Sequence, residues 1–482
     1  MSVSRENSRI AANAGDAGDD QPSLFPLPLS PFERYMFLDD RDDYPMAIVL
    51  TIELRGNLLR RKFEEALKTA LDRHPLLTCC VNASKGAGPC WVPVTESRPS
   101  VDWRDNDDPV TFESRERIDI TREPGLRIWV RRQQESARVV FQIHHACCDG
   151  LGAVQFVGDL LACYGQRTAA AGAEAPELEP LDPNQLRLRT TFSEIESKTT
   201  PKSCLSPWRL AQRLAKLLRR GPVPLAAGRS PRSSSTPSDL AFPATLTRVL
   251  DHSVVLKLKS LATRKAVTTN DLYLHEMFQT IRQWNREHGR SSPRDWFRIG
   301  MPTSLRTPLH DRMPAANIVS HFFLTRRASE CDDHDEMLQD IHRRTSVIVN
   351  DQQGRFLAVG LKYVLKIPGL LNLLLRCNRC FSTSILTNVG DIRRGFTARF
   401  PLKQGRCVAG NVVLEELLGT VPVRPNTRLS TSVGTYAGNL YVNMHCDPRC
   451  FTRQQAEELT DLFVRRLQEL SAAEEIFDQR AA

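Results

Sequence analysis

The sequence predicts an α/β protein of two domains, in the mixed α+β sense. Its 482 residues exceed the size at which one hydrophobic core stops growing. Segments of period-two alternation, such as MAIVLTIELRG from Met46, sit beside segments of helical period, such as RRKFEEALKTALDR. The same mixture recurs after residue 244, so both halves carry strands and helices.

Residues 1–22 are small and polar and are expected to form a disordered tail. The folded part opens at SPFERYMFLDD, where Ser30 can cap a helix beginning at Pro31. Ile48, Leu50, Ile52 and Leu54 then alternate along one face of a strand. In the helix that follows, Leu59, Phe63, Ala66, Leu67, Ala70 and Leu71 form one apolar stripe, and Pro75 stops it. GLRIWVRR and ARVVFQIHH are strands joined by the polar QQES, which predicts a hairpin. LGAVQFVGDLLACYGQR reads as a helix. Residues 183–243, rich in Pro, Ser, Thr and Arg, read as a connector between an N-terminal lobe, 23–182, and a C-terminal lobe, 244–475. In the second lobe Leu274, Met277, Phe278, Ile281 and Trp284 fall at helical spacing behind Asn270 as a cap. WFRIGMPTSLR, NIVSHFFLT, STSILTNVG and NLYVNMHCDP read as strands, and Thr452 with Gln455 forms a capping box for a final amphipathic helix.

Hydrophobic residues make up 41% and charged residues 25%, the composition of a globular protein rather than a disordered or fibrous one. No secretory signal is visible near the start, and the richest apolar run, YVLKIPGLLNLLLRC at 363–377, is broken by Lys366 and Pro368 and is too short to cross a bilayer. A cytoplasmic location is expected. The 13 cysteines are odd in number and include the adjacent pairs Cys79/Cys80 and Cys147/Cys148, unlike a secreted disulfide framework. Cys377 and Cys380 have CxxC spacing without a second ligand pair, so no metal site is expected. The net charge of +9 is concentrated in residues 208–232, where Leu210, Leu214 and Leu217 alternate with Arg213, Lys216, Arg219 and Arg220. That spacing predicts a basic amphipathic helix over 208–220, which packs on the protein or makes a peripheral membrane contact. Nucleic-acid binding is not expected, because no recognition module accompanies the charge.

The stretch QIHHACCDG, residues 142–150, concentrates the chemistry. Neighbouring side chains of a strand point to opposite faces, so His144 and His145 cannot both address one site. A chelating pair on one face would be spaced i, i+2 on a strand or i, i+4 on a helix, which argues against metal, and adjacent cysteines argue against a redox CxxC. A histidine at the end of a rigid strand, open to a cleft and with an ordinary pKa near ~6.5, suits a general base. Asp149 can bond the local backbone, and Gly150 permits a left-handed or close-approach turn that aims His145. A lone histidine is more often a satisfied core residue. A complete HHxxxDG, however, arises by chance in roughly one chain of this composition in a thousand, which favours function. GLGAVQ lacks the third glycine of a dinucleotide fingerprint, because Gln155 stands there, and neither a GxSxG elbow nor a P-loop occurs.

HHxxxDG at a strand end, in the first half of a chain of this size, resembles the active-site motif of the acyl-transferring superfamily that includes chloramphenicol acetyltransferase, nonribosomal-peptide condensation domains and bacterial wax ester synthases/diacylglycerol acyltransferases. LSPFERYMFL, DRHPLLT, TTNDLYLHEMFQTIRQW, GMPTSLR, NIVSHFF, LTNVG and YAGNLYVNMHCDPRCFT are similar to further segments of these proteins and extend the likeness over most of 25–475. The resemblance implies two chloramphenicol-acetyltransferase-like lobes, each a mixed sheet flanked by helices, with a tunnel between them. It implies that His145 is the general base of an acyltransferase, taking a proton from a hydroxyl or amine on a small-molecule or lipid acceptor. The donor would be a thioester of coenzyme A or carrier-bound pantetheine, a cosubstrate rather than a bound cofactor. His144, Asp149 and Gly150 would shape the loop, and Asp149 would pair with an arginine, for which Arg306 and Arg73 are candidates. Thr387 and Asn388 would line the tunnel near the developing oxyanion, where one positioned donor is worth about 3 kcal/mol. Thr78, Asp391 after Gly390, and the 183–243 connector depart from the family patterns and leave the acceptor and subfamily open. The alternative is a non-catalytic condensation-like module that binds a carrier protein or partner enzyme.

Overall fold

Apolar alternation in both halves resolves into two large sheets. The computed structural model describes residues 23–83, 88–94, 98–112, 116–190, 212, 219–227, 242–350, 355–377 and 379–481. The tail expected at 1–22 and most of the basic helix expected at 208–220 lie outside the described residues.

In chain order the first half contains β1 (Leu27–Pro28), α1 (Pro31–Asp39), β2 (Ala47–Arg55), α2 (Arg60–Arg73), β3 (Cys79–Asn82), β4 (Cys90–Pro93), β5 (Ser100–Arg104), β6 (Leu126–Arg132), β7 (Ser136–His144) and α3 (Gly150–Thr168). The second contains β8 (Thr245–Leu250), α4 (His252–Arg264), α5 (Thr269–Glu287), β9 (Trp296–Ser304), β10 (Val319–Arg327), α6 (His334–Asn350), α7 (Arg355–Leu365), α8 (Leu370–Arg376), β11 (Ser384–Asp391), β12 (Leu402–Lys403), β13 (Arg406–Ala409), β14 (Val412–Thr420), β15 (Leu429–Tyr436), β16 (Asn439–Cys446) and α9 (Arg453–Ala481).

Seven strands form a sheet in the order β12-β13-β14-β2-β7-β6-β5, six form a second in the order β10-β9-β11-β15-β16-β8, and β1-β4-β3 make a small third. Both large sheets are mixed. β6 and β7 form the expected antiparallel hairpin while β5 runs parallel to β6, and β11 runs parallel to β9 and β15. Helices α2 and α3 pack together beside the seven-stranded sheet, and α4, α5 and α9 pack together on the six-stranded one. Each sheet has its own core, one including Ile52, Phe63, Phe141 and Phe156, the other Phe278, Trp284, Leu429 and Phe463.

The second half donates strands to the first sheet. β14 lies antiparallel to β2, so residues 402–420 return from the second half to complete the first sheet. Residue 243 therefore does not separate the sheets, and α7 and α8 of the second half pack on α1 of the first. Buried alternation states that a strand has an inner face; it does not state which sheet the strand joins.

Local signals act as their chemistry requires. Ser30 Oγ accepts from the Glu33 N–H, and the Glu33 carboxylate accepts from the Ser30 N–H, closing a capping box at α1. Glu33 is fully buried and is also held by Trp91 Nε1 at 3.1 Å and by Arg189 Nε at 2.7 Å, which ties the start of the connector to α1. Thr452 and Gln455 form the box expected at α9. The cap of α5 differs from expectation. Thr268 fills it instead of Asn270, because the Thr268 hydroxyl accepts from the Asp271 N–H and the Asp271 carboxylate accepts from the Thr268 N–H.

Candidate active site

β7 delivers the histidine pair. Its pairing with β2 runs from Arg55 opposite Ser136 to Ala47 opposite His144, so the ladder ends where the motif begins. The His144 N–H donates to the Gly125 carbonyl at 2.8 Å, and the His145 N–H donates to the Met46 carbonyl at 2.7 Å. The backbone of both residues is thus pinned by neighbouring segments, and the chain then turns through 146–149 into α3.

The two rings have different partners. His144 is buried, and its Nδ1 accepts from the Ala146 N–H at 3.1 Å, which leaves the proton on Nε2. Nε2 faces Asp40 Oδ2 at 3.5 Å. Burial works to raise the Asp40 carboxyl, but His144, the Met46 N–H and Arg117 hold it below its ordinary pKa. His144 is a strut between β7 and the end of α1.

His145 is half-buried rather than sealed. Its Nδ1 is closed off from solvent without a hydrogen-bond partner, whereas Nε2 is not among the ring atoms so enclosed. Asn317 Nδ2 donates to the His145 carbonyl, which fixes the residue from the opposite half of the chain. Burial lowers the ring's pKa from 6.5 to about 4, an effect that nearby carbonyls and the Asp149 charge only partly offset. At neutral pH the imidazole is therefore uncharged, the state that can accept a proton.

Asp149 caps α3 and gathers both halves. Its carboxylate accepts from the Gly152 N–H at 2.9 Å, from the Ile318 N–H at 2.8 Å, and from two Arg306 nitrogens at 2.8 and 2.9 Å. Burial opposes ionisation, but the guanidinium and the two N–H groups outweigh it and hold the carboxyl below its usual range. Of the two arginine candidates, Arg306 makes this contact. Arg73 instead meets Asp159 at 2.7 Å, alongside His74 and Thr397. The reason is position along α3: Asp159 lies about three turns beyond Asp149, opposite the end of α2.

The glycine of the motif is used differently from expectation. Gly150 is the first residue of α3, is not among the positive-φ glycines, and has open space where a Cβ would stand. The close approach belongs to Gly152, where a Cβ would come within 3.0 Å of Cys148 and 3.1 Å of the Ala316 backbone. Cys147 and Cys148 are buried, and burial pushes both thiols well above their ordinary pKa, away from nucleophilic or redox use.

Two residues of the site carried no distinguishing signal in the sequence. Asn317 is one. The other is His321, half-buried on β10, whose ring stacks on Phe32 at 5.6 Å with an interplanar angle of 17°. Burial, and then the neighbouring His145, lower its pKa to about 4. A single histidine in the apolar NIVSHFF reads as an ordinary strand residue, and only the pairing of lobes brings it beside His145. Thr387 and Asn388 lie on β11, the first half-buried and the second exposed. Asn388 donates to Asn270 Oδ1 at 3.3 Å and accepts from the Gly390 N–H at 2.9 Å, so its oxygen is tied to the local turn and its NH₂ to the start of α5.

A separate cavity of about 270 Å³ is lined by Lys265, His275, Glu276, His334, Asp335 and Arg466 among others. None of the His145 contacts borders it, and its charges pair internally as Lys265 with Asp335 and Arg466 with Glu276. Among the described residues no group of three or more His, Cys, Asp or Glu is placed to hold a metal ion.

No family model matches the sequence, and no curated protein does. Solved structures do. Polyketide synthase associated protein 5 from Mycobacterium tuberculosis superposes with a TM-score of 0.59 at 16% identity, covering 93% of this chain and 98% of its own. The fold is that of the condensation domains. The starter condensation domain of rhizomide synthetase, solved with C8-CoA and Leu-SNAC, matches with a TM-score of 0.60 at 15% identity over 92% of this chain and 94% of that one. The X-domain from teicoplanin biosynthesis matches with a TM-score of 0.61 at 14% identity over 94% and 97%. At these identities the condensation-type likeness is one of fold, and it accords with the two-lobed mixed α/β architecture expected from the sequence.

Proposed function

We propose that the protein is an acyltransferase that moves an acyl group from a thioester to a hydroxyl or amine, with His145 as general base. The observation that carries this reading is the placement of one ring: a half-buried imidazole at the end of β7, pinned through its backbone by both halves of the chain, whose burial favours the uncharged form. Acceptor O–H or N–H attacks the thioester carbonyl as Nε2 takes the proton, forming a tetrahedral adduct. Collapse of the adduct breaks the C–S bond, and the imidazolium returns the proton to the departing thiolate. No acyl-enzyme is required, in keeping with the buried, raised thiols beside the histidine.

Asp149 and Arg306 act as positioning residues, since their bonds hold the loop that presents His145 to the segment 305–318. Thr387 is the proposed donor toward the oxyanion, and Asn388 is proposed as lining. The donor is a coenzyme A or carrier-pantetheine thioester, used as cosubstrate, and the acceptor is a small molecule or a lipid. The presence of C8-CoA in the rhizomide starter domain supports the first of these donors by fold analogy.

The test is release of free thiol from a panel of acyl-coenzyme A and acyl-pantetheine thioesters, each offered alcohols, amines and diacylglycerol. Acceptor-dependent release, with the acyl group recovered on the acceptor, is expected. Capture of an acyl carrier with no turnover against any acceptor would favour the non-catalytic module instead.

A further inference from the structure

The apolar run at 363–377 folds as the end of α7, a turn at Gly369 with φ 76°, and α8. Leu361 and Leu371 face inward and belong to the core that includes Phe32 and Met36. α7 packs on α1 and β10, α8 packs on α1, and Arg41 donates to the Leu375 carbonyl. The outer face is uncovered: Tyr363 is 39% exposed, Ile367 56% and Leu373 65%.

The charge around this ridge is of one sign. Residues 355–390 contain Arg355, Lys362, Lys366, Arg376 and Arg379 and no Asp or Glu. Lys366 lies over the Tyr363 ring at 5.4 Å, and among the described residues no carboxylate pairs with Lys362, Lys366, Arg376 or Arg379. On α2 and α9, by contrast, Arg60, Arg61 and Arg453 each pair with a glutamate one turn on. Protruding aliphatic side chains ringed by unpaired cations match a fluid anionic interface, where apolar tips enter the acyl boundary and long basic side chains reach headgroups. A folded partner would instead need a cleft shaped to receive Ile367 and Leu373.

We propose that the α7–α8 hairpin docks the protein on an anionic lipid bilayer, with Ile367 and Leu373 entering the interface and Lys366, Arg376 and Arg379 meeting phosphates. No described helix is long and apolar enough to cross a membrane, so the contact is peripheral. The hairpin packs on the two elements that carry Phe32 and His321, so docking brings the candidate site next to the lipid surface. This inference stands on the surface itself and does not depend on the acyl-transfer reading.

The experiment is co-sedimentation of the full chain with phosphatidylcholine vesicles, with and without phosphatidylglycerol. Binding is expected only to the anionic vesicles and is weakened by salt. The variant I367D/L373D is expected to reduce partitioning at least about tenfold, and K366E/R376E to reduce it similarly and flatten its salt dependence, with melting temperatures unchanged. Leu373→Trp, which keeps the ridge apolar, is expected to show a blue-shifted emission on the anionic vesicles. Failure of the native protein to bind them would overturn the proposal. So would binding that both double variants retain, which would move the contact elsewhere on the chain. Capture of an acyl carrier protein that the variants lose, without vesicle binding, would show that a protein occupies the ridge instead.

Discussion

Asp149→Asn isolates the joint between the two halves. The native carboxylate accepts four hydrogen bonds, two from Arg306 and one each from the Gly152 and Ile318 N–H groups. Asparagine retains one oxygen, enough for the Gly152 N–H and Arg306 Nη2, but it removes the negative charge and sets an NH₂ group against Arg306 Nη1 and the Ile318 N–H. The Asp149 side chain is only 4% exposed, whereas that of Arg306 is 25% exposed and can partly rehydrate. Breaking a buried ion pair by removing one partner costs about 3–5 kcal/mol, and the exposure of Arg306 places this case near about 3. Arg306→Met alone leaves Asp149 with its two backbone donors, so a loss of about 2–3 kcal/mol is expected. The double variant has no stranded charge, and its loss should fall short of the sum by more than about 1 kcal/mol. Urea denaturation with an unchanged m-value measures all three. An Asp149→Asn cost below about 1 kcal/mol, or simple additivity, would refute the claim that this pair joins the halves.

Other consequences can be checked separately. His145 and His321 have folded pKa values lowered to about 4 from 6.5, so the unfolded chain binds protons first as pH falls. Stability from these groups is therefore intact above about 6.5 and declines steadily toward pH 4; denaturation midpoints over that range should show the slope, and ring resonances titrating near 6.5 would contradict it. Asp40→Asn weakens the hold on His144 Nε2 and leaves Arg117 short of a partner, with an expected loss of about 1–3 kcal/mol in thermal unfolding. Asp159→Asn strips Arg73 and His74 of their shared carboxylate and is expected to cost about 3 kcal/mol while leaving the Asp149 coupling with Arg306 unchanged in the same double-variant cycle.

The features that could be read from the sequence are the local ones. HHxxxDG spans seven residues, 144–150, and strand alternation alone shows that its histidines face different ways. The cap at Ser30 and the capping box at Thr452 are also local, and both form. What escaped depends on distant segments. Nothing in VVLEELLGT says that β14 will pair with β2 across the chain. Arg73 and Arg306 are equally basic in sequence, and only the path of 305–318 past the start of α3 separates them. The close approach at Gly152 rather than Gly150 follows from Ala316 crossing there. His321 and Asn317 gain their meaning from the same crossing.

The most direct measurement is acyl transfer by His145→Ala beside the native protein, with thiol release and acylated acceptor followed together and the melting temperature as a control for folding. Loss of at least about a hundredfold in rate with an unchanged melting temperature is the expected result. A folded variant that transfers acyl groups at the native rate would contradict the assignment of His145 as the base.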